Sequence, residues 1–81
     1  MRVRVRLFST MRLAAGTDCF DLEVDGGCRL AAALDRLYES HPELRPHRAT
    51  AMVAVGLDYA APDRVLAEGE EISIVPPVQG G

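Results

Sequence analysis

The pattern of apolar residues in this chain of 81 residues allows one long helix and several short strands. Residues 2–8 alternate strictly, with apolar side chains at positions 3, 5 and 7 and arginine between them, which is typical of a half-buried strand. Residues 29–40 instead place apolar side chains at helical spacing, with charged residues opposite. Because the chain is too short for two cores, the sequence predicts an α+β fold in which one helix packs on one sheet.

Shorter segments complete the predicted order of elements. Residues 9–15 are expected to form a short helix that Gly16 closes, and residues 18–25 alternate as a second strand, antiparallel to the first. Pro42 and Pro46 predict that the long helix ends and a loop follows. The remaining predicted segments are a loop over residues 41–50, a strand over 51–55, an edge strand over 59–62, a helical turn over 63–67 and a final strand over 71–75.

The same periodicities predict the core. A domain of this size buries only about 60–65% of its unfolded surface, so each inward-facing position contributes measurably to stability. The predicted core residues are Val3, Val5, Leu7, Phe20, Leu22, Val24, Leu30, Ala33, Leu34, Leu37, Tyr38, Ile72 and Ile74.

Composition limits the possible partners and the compartment. The net charge is −3, from 9 basic and 12 acidic residues, whereas neutralising nucleic-acid phosphates needs a clear basic excess. No apolar run reaches the length of a membrane span, and residues 1–6 lack the apolar core of a signal peptide. We therefore expect a cytoplasmic protein with neither nucleic acid nor membrane as a partner. In that compartment, Cys19 and Cys28 are expected to be free, buried thiols and not a disulfide.

The sequence ends in Pro76-Pro77-Val78-Gln79-Gly80-Gly81. Each proline fixes φ and keeps the preceding residue extended, so the chain is expected to project stiffly from a domain of residues 1–75. Residues 76–81 are expected to form its C-terminal tail, which is made flexible by the two final glycines. The two glycines carry no side-chain chemistry, so a reaction at this end would belong to the α-carboxylate of Gly81. Without Cβ atoms, they could pass through a channel too narrow for other residues. From the residues alone, a frayed chain end is the alternative.

With this ending, the chain resembles the ubiquitin-like, β-grasp sulfur carriers, and among them the small subunit of molybdopterin synthase. The resemblance covers essentially the whole chain and is most specific where a Gly-Glu-Glu-Ile run is followed by Pro-Pro-Val-x-Gly-Gly. It implies a β-grasp fold with a mixed sheet of four to five strands on one main helix and a projecting C-terminal tail. The segments that carry it are residues 7–16, 30–38 with 51–55, and 66–72 with 76–81.

The resemblance also implies chemistry at Gly81. A ubiquitin-activating-like adenylyltransferase would use ATP to make an acyl-adenylate there, and sulfur from a donor system would replace AMP to leave a thiocarboxylate. The large subunit of molybdopterin synthase would take in residues 76–81, and the sulfur would pass to a pterin precursor to form the molybdopterin dithiolene. The chain would be a non-catalytic carrier in a heterotetramer, with no bound cofactor and no metal site of its own.

Other residues receive roles from the same resemblance. The residues that thread into the partner would be Pro76, Pro77, Val78, Gln79 and Gly80, and the partner contacts would be Phe8, Arg12 and Leu57. Phe8, Leu57 and Val78 are candidates for an apolar docking patch near the tail, and equally for the core.

Two other functions stay open at this point. The chain could carry sulfur for thiamine thiazole or another small metabolite, or it could be a ubiquitin-like modifier or interaction module, with Gly81 forming an amide or no bond. Two departures from the resembled family concern local geometry only. Residues 56–58 read Gly-Leu-Asp where the family often has Asn-Gly, and Cys28 stands where a helix-capping Ser or Thr is commoner.

A zinc site or a Cys–His nucleophile is poorly supported. The intervals from Cys28 to His41 and from His41 to His47 match those of a Cys₂His₂ zinc finger. The second cysteine, Cys19, is too distant from Cys28 in sequence to complete the motif. Two prolines would also interrupt the helix that should carry the ligands. No oxyanion-hole signal accompanies these residues.

Two groups of charged residues have simpler interpretations than catalysis. Arg2, Arg4 and Arg6 form a basic row that would be a solvated face discouraging edge pairing, or a contact for an acidic partner groove. Glu70 and Glu71 enter the final strand from a turn, and we assign them no acid–base role.

Overall fold

The first and last strands of this chain lie side by side inside a five-stranded sheet. The computed structural model describes residues 1–77, so the predictions for Val78, Gln79, Gly80 and Gly81 lie outside the described residues. In chain order the elements are β1 (Arg2–Leu7), α1 (Ser9–Ala15), β2 (Cys19–Glu23), α2 (Leu30–Ser40), a 3₁₀ helix (Pro42–His47), β3 (Met52–Val55), β4 (Asp58–Tyr59) and β5 (Glu71–Val75).

The strand order across the sheet is β2-β1-β5-β3-β4. β1 and β5 are parallel, with Leu7 level with Ile74. The outer pairs are antiparallel: β2 with β1, β3 with β5 and β4 with β3. A mixed sheet with α2 between its two hairpins is the β-grasp arrangement, so the expected fold class is confirmed.

The core lies between one face of the sheet and the helices. Val3, Val5 and Leu7 of β1 are each at most 1% exposed, as their strict alternation predicts. Phe20, in contrast, is only partly buried; it lies on the edge strand β2, and its ring packs against His41 just after α2, with ring centroids 4.3 Å apart. Leu34 is likewise partly buried. The core residues are Val3, Val5, Leu7, Met11, Leu22, Val24, Leu30, Ala33, Leu37, Tyr38, Leu44, Val55, Leu66, Ile72 and Ile74.

The N-terminus of α2 is capped by backbone from the segment before β5. The Leu30 amide donates to the Arg64 carbonyl at 2.8 Å, and the Ala31 amide donates to the Pro62 carbonyl at 2.9 Å. These bonds satisfy amides that a helix cannot pair internally, so Cys28 need not act as a side-chain cap. The predicted helical turn over residues 63–67 is wrong because the Arg64 carbonyl points toward α2 and Val65 pairs with Arg29 in an isolated bridge.

The predicted loop over residues 41–50 contains a 3₁₀ helix, Pro42–His47. Pro42 occupies the first turn, where a missing amide hydrogen costs nothing. Leu44 is 0% exposed and belongs to the same buried cluster as Met11 of α1. This single buried leucine therefore fixes the segment against the core.

The structure confirms the predicted end of α1 and corrects the predictions for the edge strand and the two cysteines. α1 ends as predicted at Gly16, whose φ of +76° is left-handed and whose amide donates to the Arg12 carbonyl at 3.0 Å. The edge strand is shorter than predicted and covers Asp58–Tyr59 only. Cys19 and Cys28 are unpaired thiols, but they are half-buried and not buried. Within residues 1–77, no helix has the length and apolarity to cross a membrane.

The Leu44→Ala variant tests the role of the 3₁₀ helix in stability. We expect the free energy of unfolding to fall by about 2–5 kcal/mol, since a fully buried leucine is truncated. Chemical denaturation measures this change, with Leu13→Ala as the control because Leu13 is 75% exposed. The control should stay within about 0.5 kcal/mol of wild type. Equal losses at the two positions would contradict the anchoring role of Leu44.

Candidate functional site

The candidate site is the end of the sheet from which the chain leaves β5. Val75 is the last paired residue of β5, level with Met52 of β3. Pro76 is half-buried and Pro77 is exposed, and neither proline has an amide to extend the strand ladder. The chain is therefore released from the sheet at Pro76, where the predicted domain boundary lies. We call residues 76–81 the arm; the roles predicted for Val78–Gly81 stay predictions.

An apolar row crosses the sheet at the base of the arm. Phe8 follows Leu7 in extended conformation, so it comes level with Val75, which in turn is level with Met52. The alternation of side chains places all three on the face opposite the core. Phe8 is 40% exposed and Met52 is 47% exposed. Tyr59, on the neighbouring strand β4, extends this face and is 69% exposed.

Leu57 lies far from this apolar row. It occupies the turn between β3 and β4, and the adjacent Gly56 amide donates to the Glu71 carbonyl at the start of β5. Four residue steps of β5, about 13 Å at about 3.3 Å per residue, separate that point from Val75. Leu57 is fully exposed, so Phe8 and Leu57 do not share one patch. Each remains a separate prediction as a partner contact.

Sequence reasoning missed Met52, Val75 and Tyr59 as members of the exposed apolar surface. The signal for Met52 and Val75 was available, because residues that alternate with core positions must face outward. Tyr59 carried no such signal, since a strand of two residues has no measurable period.

Arg12 lies beside the apolar row, on the exposed side of α1. Together with Arg6, Phe8, Ser9 and Asp18, it lines a shallow depression at this end of the molecule. Among the described residues, it makes no ion pair. Arg12 is therefore available to an external acidic group.

The basic row of β1 is neutralised within the sheet. Arg2 Nε lies 2.8 Å from Glu23 Oε1, and Arg6 Nε lies 2.7 Å from Glu71 Oε1. The hydrogen bond from Arg2 lowers the pKa of Glu23, and the hydrogen bond to Glu71 raises the pKa of Arg6. Arg4 makes a longer contact of 3.9 Å with its cross-strand neighbour Asp21. This half of the open face is thus a set of paired charges and not a free basic surface.

The acidic pair at the start of β5 has structural partners. Glu70 accepts hydrogen bonds from both terminal nitrogens of Arg64, at 3.2 and 2.9 Å, and from the Ala67 amide at 2.7 Å. These bonds, led by the one from Arg64, lower the pKa of Glu70. Its neighbour Glu71 binds Arg6. Both carboxylates therefore stabilise the entry into β5.

The residues considered as zinc ligands are held apart by α2. Cys28 precedes this helix of 11 residues and His41 follows it, so about 16 Å of helix at about 1.5 Å per residue separates them. His41 instead packs on Phe20, and its Nδ1 lies 3.3 Å from Glu43. Within residues 1–77, no three His, Cys, Asp or Glu side chains are grouped to hold a metal ion.

Comparison with known proteins gives consistent matches over the full chain. Residues 5–81 match the ThiS family. The molybdopterin synthase sulfur carrier subunit of Mycobacterium tuberculosis is 32% identical over 100% of this chain and 99% of its own length, and that of Chlamydomonas reinhardtii is 29% identical over 100% of both chains. Among solved structures, SAMP1 from Haloferax volcanii superposes with a TM-score of 0.88 and 27% identity over 100% of both chains.

The Arg2→Gln variant tests whether the basic row is neutralised by its neighbours. Removing the guanidinium should raise the pKa of the Glu23 carboxyl toward its ordinary value, and carbon-detected NMR titration measures it. Since the pair lowers the folded-state pKa, its contribution to stability is present above the unfolded-state pKa and is lost as pH falls through the folded-state value. Arg29→Gln is the control and should leave the Glu23 titration unchanged. An unaltered titration in Arg2→Gln would show that the pair does not persist in solution.

Proposed function

Because the chain belongs to the ThiS family, we propose that it is the sulfur-carrier subunit of a molybdopterin synthase. The observation that carries the proposal is the end-to-end match to relatives of that name, which includes the residues of the arm. The geometry supports it, since the last strand releases the chain at Pro76, beside an exposed apolar row. The proposal gives the chain the role of a carrier, and its reactive group would be a carboxylate and not a side chain.

The proposed chemistry takes place at the Gly81 carboxylate, a poor electrophile until it is activated. An adenylyltransferase joins it to AMP from ATP and releases pyrophosphate, which gives an acyl-adenylate. Sulfide delivered by a donor system then attacks the acyl carbon, the bond to AMP breaks and a proton is released, so that one oxygen is replaced by sulfur. The resulting thiocarboxylate donates its sulfur to a pterin precursor. Water returns the oxygen, and the Gly81 carboxylate is regenerated.

The arm would deliver this group into the active sites of two partners in turn. Pro76 and Pro77 stiffen the base of the arm, and Gly80 and Gly81 keep its end narrow. Val78 and Gln79 link these two parts. A stiff base loses less conformational entropy on insertion than a fully flexible chain would.

The large subunit of the synthase would cover the apolar row of Phe8, Val75 and Met52. A protein that encloses the arm must approach the end of the sheet where the arm begins, and this row lies there. The exposed fractions of Phe8 and Met52 leave apolar area to bury, which drives association. The ion pairs of β1 and β2 would lie at the polar rim of such an interface.

A second candidate function is protein modification, in which Gly81 forms an amide with another protein. The likeness to SAMP1, a small archaeal modifier protein, favours it. The fold and the arm suit both functions, because each requires only an activated Gly81 carboxylate.

The first test is the intact mass of the protein after treatment with ATP, the activating enzyme of the same host and a sulfur source. We expect a mass gain equal to the replacement of one oxygen by one sulfur. The control variant lacks Gly81 and should show no gain, while its melting temperature stays within about 1 °C of wild type because no core residue is removed.

The same measurement separates the candidate functions. No gain in the wild type would overturn the carrier proposal. A mass that includes another protein joined through Gly81 would favour the modifier function instead. A large loss of thermal stability on deleting Gly81 would show that this residue is structural.

The Met52→Asp variant tests whether the apolar row contacts the large subunit. We expect affinity for that subunit to fall about tenfold or more, since a charge at the centre of an apolar contact costs roughly 1.4–3 kcal/mol. Val65→Asp is the control: Val65 is 55% exposed and pairs with Arg29 before α2, at the opposite end of the sheet. Isothermal titration calorimetry measures both. Equal affinities for the two variants would remove the row from the interface.

A further inference from the structure

A cleft of mixed polar and apolar lining lies directly beside the base of the arm. It has a volume of about 360 Å³, and Pro76 and Pro77 form one of its walls. The other walls come from the first turn of α1 and from the segment between the 3₁₀ helix and β3. The residues that line it are Ser9, Thr10, His47, Thr50, Pro76 and Pro77.

Both flanking segments are fixed to the core, so the cleft is a built feature. Met11 anchors α1 and Leu44 anchors the 3₁₀ helix, each at 0% exposure. The Ala51 amide donates to the His47 carbonyl at 3.0 Å, and the Thr50 hydroxyl donates to the same carbonyl at 3.4 Å. The walls that come from α1 and from residues 47–50 are therefore held by contacts that do not involve the arm.

No acidic residue of the described part of the chain lines the cleft, and Arg12 lines the adjoining depression, which shares Ser9 with it. Residues 9–16 and 45–52 hold three of the nine basic residues and none of the twelve acidic ones, although the whole chain has a net charge of −3. Arg48 pairs with Asp35 and Arg45 Nε donates to the Tyr38 carbonyl, so these two are partly engaged. Arg12 makes no ion pair among the described residues.

We propose that this cleft binds a carboxylate side chain on the protein that takes up the arm. Its lining offers two hydroxyls, of Ser9 and Thr10, that make no hydrogen bond among the described residues, together with the imidazole of His47. A carboxylate is the protein group that accepts several such hydrogen bonds and is favoured by a positive surrounding. The inference rests on the proposed function only in requiring that some protein enclose the arm.

The location of the cleft determines which partner it would contact. Because Pro76 and Pro77 are themselves lining residues, a protein that encloses the residues after them must pass over the cleft. The partner's acidic group would thus fix the direction of the arm before Gly81 reaches an active site. Thr10, His47 and Thr50 become interface residues, whereas the basic row of β1, paired within the sheet, does not supply this contact.

Two variants of equal size at Thr50 test the proposal. Thr50→Asn and Thr50→Asp differ in charge but hardly in shape, so their difference in affinity reports electrostatic repulsion and not a clash. We expect the large synthase subunit to bind the Asp variant at least tenfold more weakly than the Asn variant. This difference in affinity, the affinity gap, should be smaller at high salt. Val65→Asn and Val65→Asp are the matched control pair, for which the affinity gap should stay below about twofold.

Variants that remove hydrogen-bond donors from the cleft provide a second test of binding. Thr10→Val and His47→Gln should each weaken binding several-fold, and the circular-dichroism melting temperatures should match wild type because both side chains are at the surface. Equal affinities for the two Thr50 variants would overturn the proposal. An affinity gap at Val65 as large as the affinity gap at Thr50 would also overturn it, since repulsion would then not be specific to the cleft.

The outcome can be separated from that of the proposed function. If the chain gains sulfur but the Thr50 pair shows no affinity gap, only the cleft proposal fails. If the wild-type chain does not bind the large subunit, the synthase function fails, and the same variants are measured against the activating enzyme, which also takes up the arm. Absence of arm-dependent binding to both enzymes would overturn both proposals.

Discussion

The parallel pairing of β1 with β5 is the interaction on which the rest of the structure depends. It joins the first and last strands of the chain, and β5 lies between the β1–β2 and β3–β4 hairpins, so the two hairpins become one sheet only when β5 is in place. Because the two strands run in the same direction, β5 ends level with the end of β1. The arm therefore emerges beside Phe8 and α1, and the candidate site is a direct consequence of this one pairing.

The same pairing divides the open face of the sheet into two parts. On the side of β1 and β2, each arginine lies close to a carboxylate, and such exposed pairs contribute little to stability. On the side of β5, β3 and β4, the outward positions nearest the arm hold Val75, Met52, Tyr59 and small residues, which carry no charge, and the outward carboxylate of Glu71 at the far end of β5 pairs with Arg6. An acidic chain thus presents, at one end, an uncharged apolar row and a cleft lined by no acidic residue among those described, where its proposed partners must bind.

Local patterns predicted the elements whose stabilising contacts are local or strictly periodic. β5 was predicted without error because Ile72 and Ile74 alternate with polar neighbours, and α1 because Gly16 provides a left-handed end. The segment over residues 63–67 failed for the opposite reason: the Arg64 carbonyl bonds to the Leu30 amide and Val65 pairs with Arg29, more than thirty positions earlier. No window of sequence contains both partners, so helical propensity alone gave the wrong answer.

The candidate site shows the same limit at the level of side chains. The chemistry proposed for the arm could be predicted from the sequence, because it depends on the residue types at positions 76–81. The surface around it depends on register: one residue of shift would turn Met52 inward and Val53 outward. Register here is set by the pairing of β3 with β5, in which Val53 and Val55 lie level with the core residues Ile74 and Ile72. Two strands distant in sequence thereby decide which side chains meet a partner at the arm, because Met52 faces outward only in this register.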